Sequence, residues 1–451
     1  MTTFNRDAVQ AFRFVRCGFD PATGVAELAY AFDQGPELVE TITIPGAPFA
    51  LDPARRAAVD KALRLLHLVA GVSYYKAAVP PRIVIEGEPI DAATAALLEQ
   101  VYLNGLGEFA YRNGLDLRGR LQFPAEAGAA APAPALGLGA RALVAIGGGK
   151  DSLVSIEALR AAGVDQTVAW IGNSQLIRSC AERTGLPTLN IGRALAPALF
   201  EINRQGAYNG HIPVTAVNSA ILSLAAVLTG AGQVVFSNER SASYGSLIPG
   251  TGEVNHQWSK GWAFEQAFGQ YLQQQVAADL HYYSLLRPLS ELAVARQFAR
   301  SEHYDAHFSS CNRNFHILGE KPAQRWCGMC PKCHFVFLAL APFMPKPRLV
   351  RIFGRNLLDD PAQAAGYDAL LEFQDHKPFE CVGEGRESRA AMAQLAARAD
   401  WREDALVARF ARLIQPQLDP AGLALEPLLA LEGEHRVPAP VWERVRAHFA
   451  A

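Results

Sequence analysis

A glycine-rich hexapeptide, GGGKDS at residues 147–152, constrains the fold of this 451-residue chain more than any other feature of its sequence. It follows the apolar run ALVAI at residues 142–146, which is typical of a buried strand, and it leads into a helix predicted over Ser152–Ala162. Glycine lets a backbone approach a ligand closely, and the first turn of a helix offers free N–H groups and the positive end of the helix dipole. This strand–loop–helix order predicts a phosphate-binding loop.

Strands and helices continue to alternate after the loop. Strands are predicted at Thr167–Ile171, Thr188–Ile191 and Gln233–Phe236, and helices at Gln175–Thr184 and Val214–Leu228. This alternation indicates an α/β domain with a parallel sheet covered by helices on both faces. Ligands of such sheets bind at the carboxyl ends of the strands, which is where the glycine-rich loop begins.

Changes in composition divide the chain into four segments. Residues 1–125 mix strand and helix patterns, so we expect an α+β N-terminal domain that contributes to substrate binding. Residues 126–140 contain only Ala, Pro, Gly, Leu and one Glu, a composition that favours a linker. Residues 141–345 carry the alternating pattern and are expected to bind the nucleotide, whereas the periodicity of residues 346–451 predicts a helical C-terminal region.

The charge and the hydropathy pattern exclude several classes of protein. Half of the residues are hydrophobic, which is enough for a packed core, and 42 Lys and Arg against 44 Asp and Glu give a net charge of −2. We therefore expect no general attraction to nucleic acid or to anionic membranes. No apolar run reaches the roughly 20 residues that span a bilayer, and the first residues lack the apolar core of a signal peptide. The expected location is the cytoplasm.

The cysteines fall into two groups. Four of the seven lie within 23 positions, at Cys311, Cys327, Cys330 and Cys333. In a reducing compartment this C-x15-C-x2-C-x2-C spacing predicts a metal site, and four thiolates suit a closed structural Zn²⁺ site. An iron–sulfur cluster is the alternative. The other three stand apart, without a paired motif, and are predicted to fill the interior: Cys17, Cys180 and Cys381.

Three polar segments supply further candidate site residues. Residues 237–241 follow a predicted strand, so Glu239 is a candidate Mg²⁺ ligand and Arg240 is placed to neutralise negative charge. Residues 255–260 and 208–211 also read as polar loops, and each contains a histidine.

The loop departs from two common nucleotide-binding patterns. A Walker A loop requires Ser or Thr after Gly-Lys, where this chain has Asp151, and a dinucleotide fingerprint requires Gly or Ala where this chain has Ser152. The loop resembles instead the Ser-Gly-Gly-x-Asp-Ser loop of the ATP pyrophosphatase (PP-loop) superfamily, with Gly147 replacing the leading Ser. That resemblance implies cleavage of ATP to AMP and pyrophosphate, with adenylation of the substrate.

Four segments in this order resemble the UDP-N-acetyl-α-D-muramoyl-L-alanyl-L-glutamate epimerases, the MurL family: GGGKDS, SNERSASYG, GEVNHQWSKG and CGMCPKCHFVF. The resemblance is clearest over residues 140–390. It implies an ATP- and Mg²⁺-dependent enzyme of peptidoglycan precursor synthesis, which converts the terminal L-Glu of UDP-MurNAc-L-Ala-L-Glu to D-Glu through an acyl-adenylate. The UDP-MurNAc-dipeptide is then the partner to expect, and the oligomeric state stays open.

The resemblance also suggests roles for individual residues. The ATP phosphates would be held by Gly147, Gly148, Gly149, Lys150, Asp151 and Ser152. Acid–base catalysis or binding of the substrate carboxylate would fall to His211, His256 and Lys260. Oxyanion stabilisation would come from Arg240 or from a metal ion held by Glu239.

Two other functions share some of these features. A PP-loop enzyme that modifies a nucleobase or tRNA, similar to 7-cyano-7-deazaguanine synthase, has a comparable loop and cysteine knuckle, although the net charge of −2 argues against tRNA. A non-catalytic nucleotide-binding or zinc-organised scaffold would bind ATP without forming AMP.

Overall fold

The computed structural model describes residues 4–128, 131–248, 251–315, 320–373 and 377–450. Its strands are β1 (Ala11–Asp20), β2 (Val25–Phe32), β3 (Leu38–Thr43), β4 (Arg82–Ile85), β5 (Ile90–Asp91), β6 (Ala125–Glu126), β7 (Gly139–Ala145), β8 (Gln166–Ile171), β9 (Thr188–Ala194), β10 (Ala231–Phe236), β11 (Ser246–Ile248), β12 (Gly252–Val254) and β13 (His281–Ser284). Its first helices are α1 (Pro53–Ala70), α2 (Val72–Tyr75), α3 (Ala92–Gly105), α4 (Gly107–Asn113), α5 (Lys150–Ala161), α6 (Gln175–Arg183), α7 (Pro197–Arg204), α8 (Val214–Thr229) and α9 (Trp262–Tyr271). The remaining helices are α10 (Glu291–Ala299), α11 (Asn312–Phe315), α12 (Pro331–Leu340), α13 (Lys346–Phe353), α14 (Ala364–Leu370), α15 (Gly385–Ala396), α16 (Ala405–Arg409) and α17 (Ala439–Ala450).

A nine-stranded sheet organises the first two thirds of the chain, in the order β13-β10-β7-β8-β9-β3-β2-β1-β4. Strands β13, β10, β7, β8 and β9 are mutually parallel, which confirms the predicted parallel sheet. The chain runs outward from β7 through β8 to β9, and then crosses back to β10 and β13. Loops leaving the carboxyl ends of β7 and β10 therefore diverge, and a crevice opens between them.

Local sequence explains the elements around this crevice. Strand β7 is buried from Ala142 to Val144, so its apolar run lies between two layers of helices. Helix α8 is buried on nearly every side and ends at Gly230, whose φ of 73° gives the left-handed cap that glycine adopts without strain. Strands β3 and β13 were not predicted from the sequence, since β3 buries the charged Glu40 on its inner face and β13 has only four residues.

The N-terminal strands extend the same sheet. Strand β3 pairs antiparallel with β9, from Thr41 opposite Ala194 to Thr43 opposite Gly192. Beside this pairing the Arg193 guanidinium donates to Glu40 at 2.6 Å. The four-segment division of the chain remains a prediction, and in the structure strands of residues 1–125 and 141–345 share one sheet.

Helices α10, α12, α14 and α15 pack together beyond the sheet and enclose a second apolar core. Of the helices predicted near the C-terminus, residues 388–399 correspond to α15 and 441–449 to α17, whereas 403–414 is divided between α16 and a wider turn at Phe410–Ile414. Among the described residues, no helix has the length and apolar character needed to cross a membrane.

Candidate functional site

A cavity of about 370 Å³ lies in the crevice between β7 and β10. Its wall includes the carboxyl ends of β7, β8 and β10 and the start of α5. Three further residues in the wall come from distant parts of the chain: Lys260, Lys332 and Cys381. The cavity therefore lies at the predicted edge of the sheet and includes side chains that the local pattern did not connect with it.

The glycine-rich loop forms one side of the cavity. Gly148 has a φ of 80°, and its carbonyl accepts a hydrogen bond from the Ser309 N–H at 2.8 Å. A Cβ on Gly149 would lie 3.3 Å from the Ser310 Cβ, whereas a Cβ on Gly147 would have no atom within 4 Å. The loop thus packs against residues 309–310 while Gly147 faces open space. No side chain caps the start of α5, so its first N–H groups are available to an anion.

Three carboxylates meet beneath the loop. One oxygen from each of Asp151, Glu239 and Glu291 lies within 4.8 Å of the other two. The buried Lys150 ammonium pairs with Asp151 and Glu291, so this lysine supports the carboxylates rather than lining the cavity. Burial, together with the charges of Glu291 and Asp151, raises the pKa of Glu239 to about 8. Negative charge here is underbalanced, which is the electrostatic condition for binding a cation.

Arg287 fixes the two polar loops that supply Glu239 and Lys260. Its guanidinium donates to the Glu239 carbonyl at 2.8 Å and also to the Lys260 carbonyl. The same group pairs with the buried Glu265 at 2.9 Å. The backbone of both loops is therefore held in place by Arg287, and Lys260 lines the cavity.

A second polar group surrounds Cys381. The Lys260 Nζ lies 3.1 Å from the Cys381 Sγ, and the Lys332 ammonium donates to the Cys381 carbonyl. Burial alone would raise the pKa of Cys381, but the Lys260 charge and a hydrogen bond with His256 hold that pKa well below its ordinary value. The surroundings of Cys381 therefore favour its thiolate form.

His256 connects this thiolate to the N-terminal part of the chain. Its Nδ1 pairs with the Glu108 carboxylate of α4, which also binds Arg112. Burial lowers the pKa of His256, but Cys381 and Glu108 raise it to a net value of about 9. The His211 ring lies 4.1 Å from the His256 ring, and burial beside that cation lowers the pKa of His211 to about 4. The pair therefore consists of one charged and one neutral imidazole at pH 7.

The structure brings most of the candidate site residues together and separates one of them. Glu239, His211, His256 and Lys260 belong to the two connected groups described above. Arg240 lies beside Glu239 in the chain, but its guanidinium pairs with Glu432 at 3.2 Å and is not part of the described cavity wall.

Sequence reasoning did not connect four positions with the candidate site: Glu108, Glu291, Lys332 and Cys381. Cys381 was interpreted as interior filler, and that interpretation is wrong because its half-buried side chain lines the cavity between two lysines. The available signal was the polar stretch around it, since Pro378–Glu384 carries two glutamates in seven residues. Glu291 follows the helix-capping Ser290, which made it resemble an ordinary first-turn acid.

The four clustered cysteines converge as their spacing predicts. One Sγ from each of Cys311, Cys327, Cys330 and Cys333 lies within 4.8 Å of the other three. The Cys330–Cys333 and Cys327–Cys333 sulfurs are 3.4 and 3.7 Å apart. A tetrahedron with zinc–sulfur bonds of about 2.3 Å has sulfur separations of about 3.8 Å, so this set fits a four-thiolate metal site.

The cysteine cluster is joined to the cavity through two short segments. Ser309, two residues before Cys311, donates its N–H to the Gly148 carbonyl of the loop. Lys332, one residue before Cys333, lies 3.7 Å from the Glu291 carboxylate. A rigid cluster would therefore fix both the back of the loop and one of the cavity lysines.

Known proteins match the chain over nearly its whole length. The family model of the MurL N-terminal domain matches residues 3–285, and that of the MurL C-terminal domain matches residues 307–423. These ranges contain every residue of the described cavity wall, whereas Arg287 and Glu291 lie between the two ranges.

Curated relatives are similar at high identity. A UDP-N-acetyl-α-D-muramoyl-L-alanyl-L-glutamate epimerase of Xanthomonas oryzae pv. oryzae is 77% identical over 450 residues, or 100% of both chains. Proteins of the same name from Salinispora tropica and Micromonospora sp. are each 45% identical. Their alignments cover 88% of this chain and 88% of the first relative, and 96% of this chain and 97% of the second.

Proposed function

The chain belongs to the MurL family, and from that premise we propose that it inverts the terminal L-Glu of UDP-MurNAc-L-Ala-L-Glu to D-Glu. ATP would be consumed to convert the glutamyl α-carboxylate into an acyl-adenylate, with release of pyrophosphate and then AMP. The reaction would supply a peptidoglycan precursor in the cytoplasm.

The observation that carries this proposal is the position of the glycine-rich loop in the same cavity as Lys260, Lys332 and Cys381. A helix start and open backbone suit a polyphosphate, while the lysines suit the carboxylate and the charge that develops on it. One cavity therefore has room both for an activating nucleotide and for groups that act on the activated substrate.

Activation answers the main chemical difficulty of inversion. Removing the α-proton of a free carboxylate would create a second negative charge on a group that is already anionic. Forming a mixed anhydride with AMP removes the first charge and makes the carbonyl electron-withdrawing, so a base can take the α-proton. A proton then returns on the opposite face, and hydrolysis of the adenylate releases product.

The carboxylates of Asp151, Glu239 and Glu291 fit Mg²⁺, because they supply oxygen ligands, two of them buried, whose mutual repulsion a divalent cation relieves. Bound there, the ion would neutralise charge on the ATP phosphates. Lys150 would keep the carboxylates in position. The four cysteines fit a structural Zn²⁺, with all four tetrahedral positions filled by thiolates and none left for substrate.

The proposal is tested by incubating the protein with ATP, Mg²⁺ and UDP-MurNAc-L-Ala-L-Glu in D₂O, and by following AMP and α-deuterium by mass spectrometry. We expect AMP together with deuterated D-Glu product. Asp151→Asn should reduce AMP release by at least 100-fold, on the order of one removed transition-state contact, because a phosphate-side carboxylate is lost. The exposed Asp60→Asn variant on α1 is the matched control and should retain wild-type rates.

Other outcomes would assign a different function. AMP release without deuterium at the α-carbon would retain adenylation and exclude epimerisation. No AMP with this substrate would exclude the proposed reaction and bring forward a PP-loop enzyme acting on a nucleobase.

A further inference from the structure

Cys381 stands at the meeting point of four separate segments of the chain. Glu108 comes from α4, His256 and Lys260 from the loop before α9, Lys332 from α12, and Cys381 from the segment between α14 and α15. Long-range packing has brought the Lys260 ammonium and an imidazole to one sulfur, and the Lys332 ammonium to the carbonyl of the same residue. An ordinary interior thiol needs no such surroundings, because burial favours its neutral form.

The contacts resemble those that activate a thiol for proton transfer. A carboxylate orients the imidazole, the imidazole contacts the sulfur, and the Lys260 ammonium lies 3.1 Å from that sulfur. Glu108 thus positions His256, and His256 with Lys260 keeps Cys381 anionic. Cys381 is half-buried and is part of the cavity wall.

Cys381 lines the same cavity as the glycine-rich loop, where the proposed chemistry occurs. The α-carbon is bonded directly to the carboxyl carbon that ATP activates. A side chain that lines the nucleotide cavity is therefore placed where it can reach that α-carbon. Thiolates are among the side chains that serve as general bases.

We propose that Cys381 is a catalytic acid–base residue that exchanges a proton with the glutamyl α-carbon on one of its faces, and that His256 and Glu108 are its positioning residues. This inference rests on the proposed epimerase function. It adds a named group for one of the two proton transfers that inversion requires.

The step balances without any further reactant. The Cys381 thiolate takes the α-proton of the activated glutamyl group, so the C–H bond breaks and an S–H bond forms. The electron pair of the C–H bond moves into the carbonyl as an enolate, whose oxygen charge Lys260 or Lys332 can stabilise. A proton delivered to the opposite face by water or by a second acid restores the carbonyl with inverted configuration. In the reverse direction the Cys381 thiol gives its proton back to carbon.

The test uses Cys381→Ser and Cys381→Ala in the full-length protein, with UDP-MurNAc-L-Ala-L-Glu and its D-Glu epimer offered separately. Adenylation is followed by substrate-dependent ATP–pyrophosphate exchange, and proton transfer by deuterium at the α-carbon. We expect ATP–pyrophosphate exchange within about threefold of wild type. Inversion should fall by about 10³-fold, the usual contribution of a general base, and α-deuterium exchange should be lost with at least one epimer.

The matched control is Cys17→Ser, since Cys17 is a half-buried thiol on β1 outside the cavity. It should leave both readouts unchanged. Inversion by Cys381→Ala within tenfold of wild type would overturn the proposal, as would parallel loss of ATP–pyrophosphate exchange in both Cys381 variants. A substrate-sized covalent adduct on wild-type Cys381 would also overturn it, because it would show a thioester instead. If wild-type protein itself forms no AMP with either epimer, the proposed function fails independently of Cys381.

His256→Gln tests positioning through a pH profile. The charged or titratable groups whose fields reach Cys381 are His256, Lys260, Lys332, Lys377 and Glu380. Removing the His256 cation should raise the pH at which α-deuterium exchange falls to half by at least one unit, while ATP–pyrophosphate exchange keeps its profile. Glu108→Gln should move this half-maximal pH in the same direction, but by a smaller amount. An unmoved pH profile in both variants would refute the positioning roles.

Discussion

The chain holds thiols in two different electrostatic settings. The cluster of Cys311, Cys327, Cys330 and Cys333 brings four sulfurs within 4.8 Å of one another, and a divalent ion is the natural counterion for so many thiolates. Cys381 has no sulfur partner among the described residues. Its counterions are Lys260, Lys332 and His256, which are side chains of the protein itself and not a bound ion.

The difference teaches how counterions decide what a thiolate does. A metal shared by four sulfurs occupies their lone pairs, so the thiolates serve as structural ligands and are withheld from chemistry. Ammonium and imidazolium groups stabilise the anion but leave a lone pair on the sulfur free. Both settings favour thiolates, yet only the second leaves a base that can accept a proton.

Stability gives the largest expected contrast between the two settings. Cys330→Ala removes one of the four proposed zinc ligands at the start of α12, and we expect it to destabilise the protein by more than about 4 kcal/mol and to abolish zinc binding. Cys381→Ala leaves the cluster intact and should cost less than about 2 kcal/mol, since its charged neighbours border a solvent-accessible cavity. Thermal unfolding and metal analysis of the purified variants measure both effects.

The natural control for this contrast is the reduced protein treated with a strong chelator. Chelation of the wild-type protein should reproduce the loss of stability of Cys330→Ala. Chelator-treated Cys381→Ala should be no more stable than chelator-treated wild type. Equal stability of Cys330→Ala and wild type would remove the structural role of the cluster. Iron at cluster stoichiometry in place of zinc would retain that role and change only the metal.

Reactivity toward iodoacetamide gives the next contrast. Because its neighbours lower the pKa of Cys381, the thiolate persists as the pH falls, and its alkylation rate should change by less than threefold between pH 8 and pH 6. Burial raises the pKa of Cys17, so its rate should fall about tenfold for each unit over the same range. Peptide mapping by mass spectrometry follows each cysteine separately.

The cluster cysteines serve as internal references in that experiment. They should stay unmodified until the metal is removed, and then react in addition to Cys381. If the alkylation rate of Cys381 depends on pH in the same way as that of Cys17, Cys381 is an ordinary thiol. The electrostatic difference between the two thiol settings would then be refuted.

The two settings also explain what sequence could and could not predict. Residues 147–152 are contiguous, and Cys327, Cys330 and Cys333 recur at ligand spacing, so the local backbone brings these groups together. Cys381 acquires its role only when α4, the loop before α9 and α12 converge on it. No periodicity or spacing connects positions 108, 256, 332 and 381, because packing of distant segments, not local geometry, determines their proximity.

Arg240 shows the opposite error. Its neighbour Glu239 belongs to the carboxylate group, and adjacency in the chain suggested a shared role. Successive side chains in an extended or turning backbone point in different directions, and Arg240 turns toward Glu432. Adjacency in the sequence therefore places Glu239 and Arg240 in the same loop, but it does not predict the direction in which each side chain points.

The smallest expected effect concerns Gly148, whose carbonyl receives the Ser309 N–H from the cluster side of the cavity. Gly148→Ala should cost about 1–2 kcal/mol, because alanine is strained at a φ of 80°. Steric overlap adds nothing to this cost, since the new Cβ would lie at an ordinary 3.5 Å from Ile177. A loop displaced by that strain should raise the KM for ATP about tenfold. Gly147→Ala is the matched control, since its Cβ enters open space without a positive φ, and its stability should stay within about 0.5 kcal/mol of wild type.

These glycine variants separate the loop from both thiol sites when they are measured together. Zinc content and the alkylation profile of Cys381 should stay at wild-type values in Gly148→Ala, because neither depends on the left-handed turn. Loss of zinc in that variant would mean that the loop and the cluster form one cooperative unit through Ser309. A changed Cys381 profile would mean that the loop also shapes the thiolate's surroundings, and the two settings would then be coupled through Gly148.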